Sequence, residues 1–225
     1  MKVTIDGTPI DVEPGTTVLE AVRAAGGDVP TLCFDPRQEP FGACRVCMVG
    51  IEGSPGPVAA CTARCRGAMV VDTADATARR IAAATVELVL SELHEPPGPG
   101  TELARVARWL EVGHELRWPG EVHHEEQDLR HPYLALRPEL CISCGRCVRA
   151  CDEVQGTFAL TATGRGFEAN IAAGLDQGFR ESTCVACGAC ADTCPTDAIT
   201  EIALLGLDPP PLAAYRRGGS RLRLR

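Results

Sequence analysis

The sequence predicts an α+β protein of two small domains joined by a helical spacer. Three observations point there. The 13 cysteines fall in two groups, over 33–65 and 141–194, with a cysteine-free stretch over 66–140 between them. An alternating apolar pattern at the start gives way to a helical period near residue 76. The second cysteine group is one run of spacings written twice. At 225 residues the chain is long enough for two small cores.

Residues 2–6 and 9–13, around a turn at Gly7-Thr8, predict a β-hairpin with Val3, Ile5, Ile10 and Val12 alternating. Thr17 with Glu20 three residues later is a capping pattern. It opens a helix whose Val18, Leu19, Val22 and Ala25 supply a buried face, and Gly26-Gly27 close it. Strands over 46–51 and 69–72 follow a cysteine-rich loop. Hairpin, helix, loop and further strands is the order of a β-grasp domain, assigned to residues 1–75. From Ala76 to Leu93 the apolar stripe Ala82, Val86, Val89 and Leu93 predicts a helix, which Pro96–Gly100 breaks. A second helix, 101–112, sets Leu103, Val106, Ala107 and Leu110 on one face and Arg105, Arg108 and Glu111 on the other. Residues 76–130 are therefore a helical hairpin or linker, 131–205 a second cysteine-bearing domain, and 206–225 a Pro/Arg-rich tail.

A net charge of −8 argues against nucleic acid, whose binding needs a basic surface. The exception is the tail Arg216–Arg225, with five arginines and no acid, which reads as solvated. The start, MKVTIDGTPIDVEPG, has no apolar core and predicts no secretory leader. A reducing cytoplasm is thus expected, where thiols persist as metal ligands. No run is long enough to span a membrane, so any membrane link would come through a partner. His123 and His124 lie among acids in 121–128 with no further ligand set nearby, and read as a solvated loop.

The chemistry lies in the cysteines. Cys141, Cys144, Cys147 and Cys151 form the run C-x2-C-x2-C-x3-C, and Cys184, Cys187, Cys190 and Cys194 repeat it, with Pro195 following. Three thiolates two residues apart wrap one face of a [4Fe–4S] cubane, and the fourth points away to the other cluster. One cluster is then expected on Cys141, Cys144, Cys147 and Cys194, the other on Cys184, Cys187, Cys190 and Cys151. Small residues inside the runs, Gly145, Ala186, Gly188 and Ala189, leave room against the backbone. Structural zinc is the competing reading, but it gives no reason for a third C-x2 step. Cys33, Cys44, Cys47 and Cys61, spaced C-x10-C-x2-C-x13-C, suit a [2Fe–2S] cluster, with Gly42 and Ala43 letting the loop fold over it. Cys65 is surplus and reads as a buried bystander, unless a shifted loop puts it in place of Cys61.

These spacings, on a β-grasp domain followed by a helical spacer and a two-cluster ferredoxin-like domain, resemble the N-terminal module of the large iron–sulfur subunit of respiratory complex I. NAD-linked formate dehydrogenase catalytic subunits and the small diaphorase subunit of NAD-reducing hydrogenases share the module. The resemblance runs from Met1 to about Leu205. Within the group, Cys144–Phe167 and the second run look most like the formate dehydrogenase branch. The family normally carries a fourth cluster on H-x3-C-x2-C-x5-C, but here His94 is followed by Gly98 where the first cysteine would stand. His94 is therefore expected not to be a ligand. No Gly-rich dinucleotide fingerprint or P-loop is present, Gly164–Gly166 being too short, and no molybdopterin-binding domain is expected. The resemblance implies a non-catalytic relay in a cytoplasmic NAD(P)-linked complex. Electrons would pass from a molybdenum or tungsten formate dehydrogenase chain toward a flavin/NAD diaphorase subunit. A [NiFe] hydrogenase chain is the alternative source, and a free multi-cluster carrier or a redox sensor are further alternatives.

Overall fold

The computed structural model describes residues 1–113, 115–118, 120–122, 127–174 and 178–206. The His123/His124 loop and the arginine tail lie outside them. The chain divides into two compact units, Met1–His124 and Glu125–Arg225, so both spacer helices belong to the first.

The first unit opens with the hairpin β1 (Lys2–Ile5) and β2 (Thr8–Asp11), in the register Ile5↔Thr8. Its turn is Asp6-Gly7, one residue earlier than the composition suggested. Both turn residues sit at positive φ, 49° and 81°, which matches the twist of a two-residue hairpin. Helix α1 (Val18–Ala24) follows, with the capping box realised. The Glu20 N–H donates to Thr17 Oγ1 (3.2 Å), and the Thr17 N–H donates to the Glu20 carboxylate (2.6 Å). At the other end the Gly26 N–H returns to Arg23 O and the Gly27 N–H to Val22 O, a Schellman closure that Gly26 at φ 82° permits.

Strands β3 (Met48–Ile51), β4 (Val58–Ala59) and β5 (Val70–Asp72) complete a sheet of order β2-β1-β5-β3-β4. Its one parallel pairing, β1 with β5, lies at the centre. Val3, Ile5, Leu19, Val22, Val49 and Val71 fill the space under α1, each essentially sealed from solvent. Each contributes about 1.5–3 kcal/mol by burial. Helix α2 (Ala76–Ser91) starts at the N-cap Asp75 and packs on β3. Gly50 is required there, because a Cβ would meet Asp75 Cβ at 2.8 Å. Ala78, Ala82 and Val86 form the buried stripe, whereas Val89 is only half-buried and Leu93 is buried beyond the helix end. Helix α3 (Glu102–Trp109), capped by Thr101, buries Leu103, Ala104, Val106 and Ala107. Glu87 of α2, also buried, accepts from the Arg117 backbone N–H and from Arg117 Nε at 2.7 Å. Hydrogen bonding to that guanidinium holds its carboxyl below the usual range.

The second unit has little regular structure. Strand β6 (Leu134–Leu136) pairs with β9 (Ile199–Glu201), and β7 (Leu160–Thr163) with β8 (Asn170–Ala173), both antiparallel. Two short helices, α4 (Arg146–Arg149) and α5 (Ala189–Thr193), follow left-handed glycines, Gly145 and Gly188. Asp128 organises the entry to this unit. Its carboxylate accepts from Arg130 Nε (2.9 Å) and from the Phe179 N–H (2.7 Å), and its backbone pairs with Leu136 in both directions. Phe179 is buried against His131, ring centroids 4.7 Å apart. After α4 the chain widens into a π-turn, Ala150–Val154. Its long bond runs from the Gln155 N–H to Ala150 O, and the Thr157 N–H caps Cys151 O.

Candidate metal centres

Helix α1 fixes the cysteine loops of the first unit. Two of its orphan N–H groups, on Val18 and Leu19, donate to Ala63 O (2.8 Å) and Ala60 O (3.0 Å), so the segment that carries Cys61 hangs from the helix start. The Ala60 N–H donates back to Cys47 O. Cys33, Cys47 and Cys61 are buried and Cys44 is half-buried. The Cys44 N–H points at Cys33 Sγ (3.5 Å), and Gly42, at φ 67°, passes so close to Thr62 that a Cβ would lie 2.9 Å from its Cγ2.

The thiols of the first set meet in a chain of pairs, Cys44 with Cys33, Cys33 with Cys61 and Cys61 with Cys47. Hydrogen bonding from Cys44 and then Cys61 drives Cys33 down to about 2, and bonding from Cys61 brings Cys47 to about 7. The donors Cys44 and Cys61 are driven up in return. Cys65 stands apart. Its N–H donates to Thr16 O, and burial, then the charge of Glu20, pushes its thiol up.

In the second unit the cysteines line two separate cavities. One gathers Cys141, Cys144, Cys147 and Cys194 between Ile171 and Ile199. The other gathers Cys184, Cys187, Cys190 and Cys151 against Phe179 and Val185. Each takes three thiols from one run and the last from the other. The tight turns between the first two cysteines put Ser143 and Ala186 at φ 49° and 56°, and aim their N–H groups back at Cys141 Sγ (3.4 Å) and Cys184 Sγ (3.3 Å). The two last cysteines receive further donors, the Ala159 N–H on Cys151 (3.1 Å) and the Ile199 N–H on Cys194 (3.5 Å).

Burial pushes the Cys144 and Cys190 thiols up to about 12, and Cys147 well above its usual value. Such a set becomes thiolate only when a cation compensates it, which bound iron would do. Among the described residues no three His, Cys, Asp or Glu side chains are drawn together as one metal ion would need. The thiols of the second unit surround a space rather than a point, an arrangement that suits a group of several irons.

His94 is set elsewhere, on a cavity of about 420 Å³ shared with Leu90, Leu93, Ala107 and Val112, and no cysteine is among its described lining. The sequence reading missed Arg146, which is 5% exposed and donates from Nε to Thr193 Oγ1 at 2.9 Å. The available signal was a charged residue directly after Gly145, where the second run has Ala189 after Gly188. It also missed the hydroxyls of Thr157 and Thr196 near Cys151 and Cys194, 3.1 and 3.7 Å away.

Residues 1–76 match the 2Fe-2S iron-sulfur cluster binding domain, and residues 140–198 match the 4Fe-4S dicluster domain. A chain of the NADH-quinone oxidoreductase of Rhizobium meliloti is 32% identical over 88% of this chain and 24% of its own length. A protein named as a formate dehydrogenase in Staphylococcus haemolyticus is 28% identical over 91% of this chain and 21% of its own. The chain thus spans about a quarter or less of these relatives. A solved chain of an NAD+-reducing [NiFe]-hydrogenase is 30% identical with a TM-score of 0.80, over 90% of this chain and 87% of that one. Among the described residues no helix is long and apolar enough to cross a membrane. The chain therefore belongs to the family of iron–sulfur electron-transfer subunits that carry an N-terminal 2Fe-2S domain and a 4Fe-4S dicluster domain, shared by complex I, formate dehydrogenases and the diaphorases of NAD-reducing hydrogenases.

Proposed function

We propose that the chain is the electron-relay subunit of a cytoplasmic NAD(P)-linked [NiFe] hydrogenase. Its β-grasp unit holds a [2Fe–2S] cluster on Cys33, Cys44, Cys47 and Cys61. The second unit holds two [4Fe–4S] clusters, one on Cys141, Cys144, Cys147 and Cys194, the other on Cys184, Cys187, Cys190 and Cys151. The carrying observation is matched extent: the hydrogenase chain and this one cover each other almost completely, at 87% and 90%. When bound, such clusters supply one-electron transfer at fixed sites. The chain's own residues supply twelve thiolates, the N–H groups of Ser143, Ala159, Ala186 and Ile199 that donate to sulfur, and burial that excludes water. The chemistry at either end of the relay belongs to partners, a [NiFe] catalytic subunit and a flavin/NAD diaphorase subunit.

A second reading, the same relay in a formate dehydrogenase with a separate molybdenum or tungsten chain, is favoured by the relative bearing that name and by the likeness of Cys144–Phe167. Anaerobic purification of the native complex decides between them. NAD(P)+ reduction driven by H2, with a [NiFe] chain co-purifying, supports the first reading; formate-driven reduction replaces it with the second. A chain that elutes alone would return the free carrier. Iron at about ten per chain is expected, and zinc in its place would overturn both readings.

A further inference from the structure

The two cysteine runs repeat one another in spacing, so each position has a counterpart. Cys141-Ile-Ser-Cys-Gly-Arg-Cys147 answers Cys184-Val-Ala-Cys-Gly-Ala-Cys190. The backbone repeats as well: Ser143 and Ala186 are both left-handed, and Gly145 and Gly188 precede α4 and α5 at φ 72° and 80°. Within these seven positions the one change of charge follows the glycine, where one run has Arg146 and the other Ala189.

Arg146 does not extend into water. It is 5% exposed, and its Nε–Thr193 bond of 2.9 Å ties it to the residue before Cys194. Its backbone lies between Cys144 and Cys147 and follows Gly145, and these three residues line the first cavity together with Cys194, the neighbour of Thr193. A buried guanidinium keeps its charge, and metal-bound thiolates beside it would add to whatever else compensates that charge.

We infer that Arg146 tunes one site selectively: acting through the surrounding thiolates, its buried charge raises the reduction potential of the group on Cys141, Cys144, Cys147 and Cys194, and leaves the group on Cys184, Cys187, Cys190 and Cys151 without an equivalent. The inference rests on both sets holding [4Fe–4S] clusters. Uptake of one electron from an external reductant adds one negative charge to a site, with no bond made or broken. A fixed cation beside that site favours its reduced form, and the effect falls with distance.

The test is an EPR-monitored dithionite titration of the full chain, loaded and kept anaerobic, with iron counted in every sample. Arg146→Gln keeps a polar side chain with N–H donors but removes the charge. It should move the midpoint of one [4Fe–4S] signal to lower potential and leave the other in place. Arg146→Lys should restore that midpoint toward the wild-type value, which a purely structural role for the planar guanidinium would not do. Ala189→Arg should raise the other midpoint. A wild-type chain far short of about ten irons would remove the cluster reading itself. Full iron with unmoved midpoints, or equal movement of both in Arg146→Gln, would overturn the role of Arg146. Should Arg146→Gln fail to load, Ala189→Arg decides alone: a raised midpoint supports selective tuning from this position, and an unmoved one refutes it.

Discussion

The two units hold their cysteines differently. In the first, Cys47, Cys61 and Cys65 sit inside a continuous apolar core with Val3, Ile5, Leu19, Val22, Val49 and Val71. In the second, the thiols are a larger share of a smaller core. Cys147, Cys151 and Cys190 sit in the buried cluster with Leu134, Leu136, Phe179 and Ile199, and Cys141 and Cys184 pack onto it. The first unit therefore has a fold on which to hang a metal group, whereas the second is expected to depend on bound metal for its fold, since buried thiols around a cavity offer each other little cohesion.

Stripping the iron breaks or sharpens that contrast most strongly. Hydrogen exchange on the iron-free chain is expected to show protection lost over β6 to β9 and retained in β1, β3 and β5. Equal loss in both units would abolish the distinction. A smaller effect is expected from Cys151→Ser. It should lower the iron content by about four and disturb the exchange of residues 184–190, more than thirty positions along the chain, while Cys33–Cys61 keep their [2Fe–2S] spectrum. Loss confined to the first run would mean that the runs do not share cysteines.

The smallest effect belongs to the helix start of the first unit. Thr17→Ala should cost about 1 kcal/mol in the unfolding of that unit and leave iron in the second unchanged. The Thr17 N–H, then the Thr17 hydroxyl, hold the Glu20 carboxyl below its usual value. The stability this adds is complete above the ordinary carboxylate pKa, about 4.3, and is lost as pH falls through the folded value. The stability gap between wild type and Glu20→Gln, followed by denaturant titration, should thus be constant from neutral pH to about 5 and close below it. A gap that widened in acid would contradict the capping geometry.

What was legible in the sequence was local. The first hairpin, with its turn read one residue late, the Thr17–Glu20 box and the Gly26 closure are set by residues within five positions of each other, and side-chain chemistry alone nearly specifies them. Repeated short spacings leave few ways to wrap two cavities, and each cavity of the second unit is lined by three cysteines of one run and the last of the other. Asp128 with Phe179, Glu87 with Arg117 and Arg146 with Thr193 were not legible, because their partners lie 51, 30 and 47 residues apart and only the fold brings them together. The pairing of β7 with β8 escaped because neither strand carries the Val- and Ile-rich alternation that marks a half-buried ribbon. The π-turn at Cys151 escaped for another reason: one extra residue in a turn leaves no mark on composition.

Among the thirteen cysteines Cys187 alone is exposed. Its sulfur is the place where a dissolved oxidant or alkylating reagent first meets the thiols of the second unit. Damage should therefore begin at one corner of the protein and travel inward. In a chain losing its metal in air, the first modified peptide recovered should be the one bearing Cys187, with Cys147, Cys151 and Cys190 following only after the unit has opened.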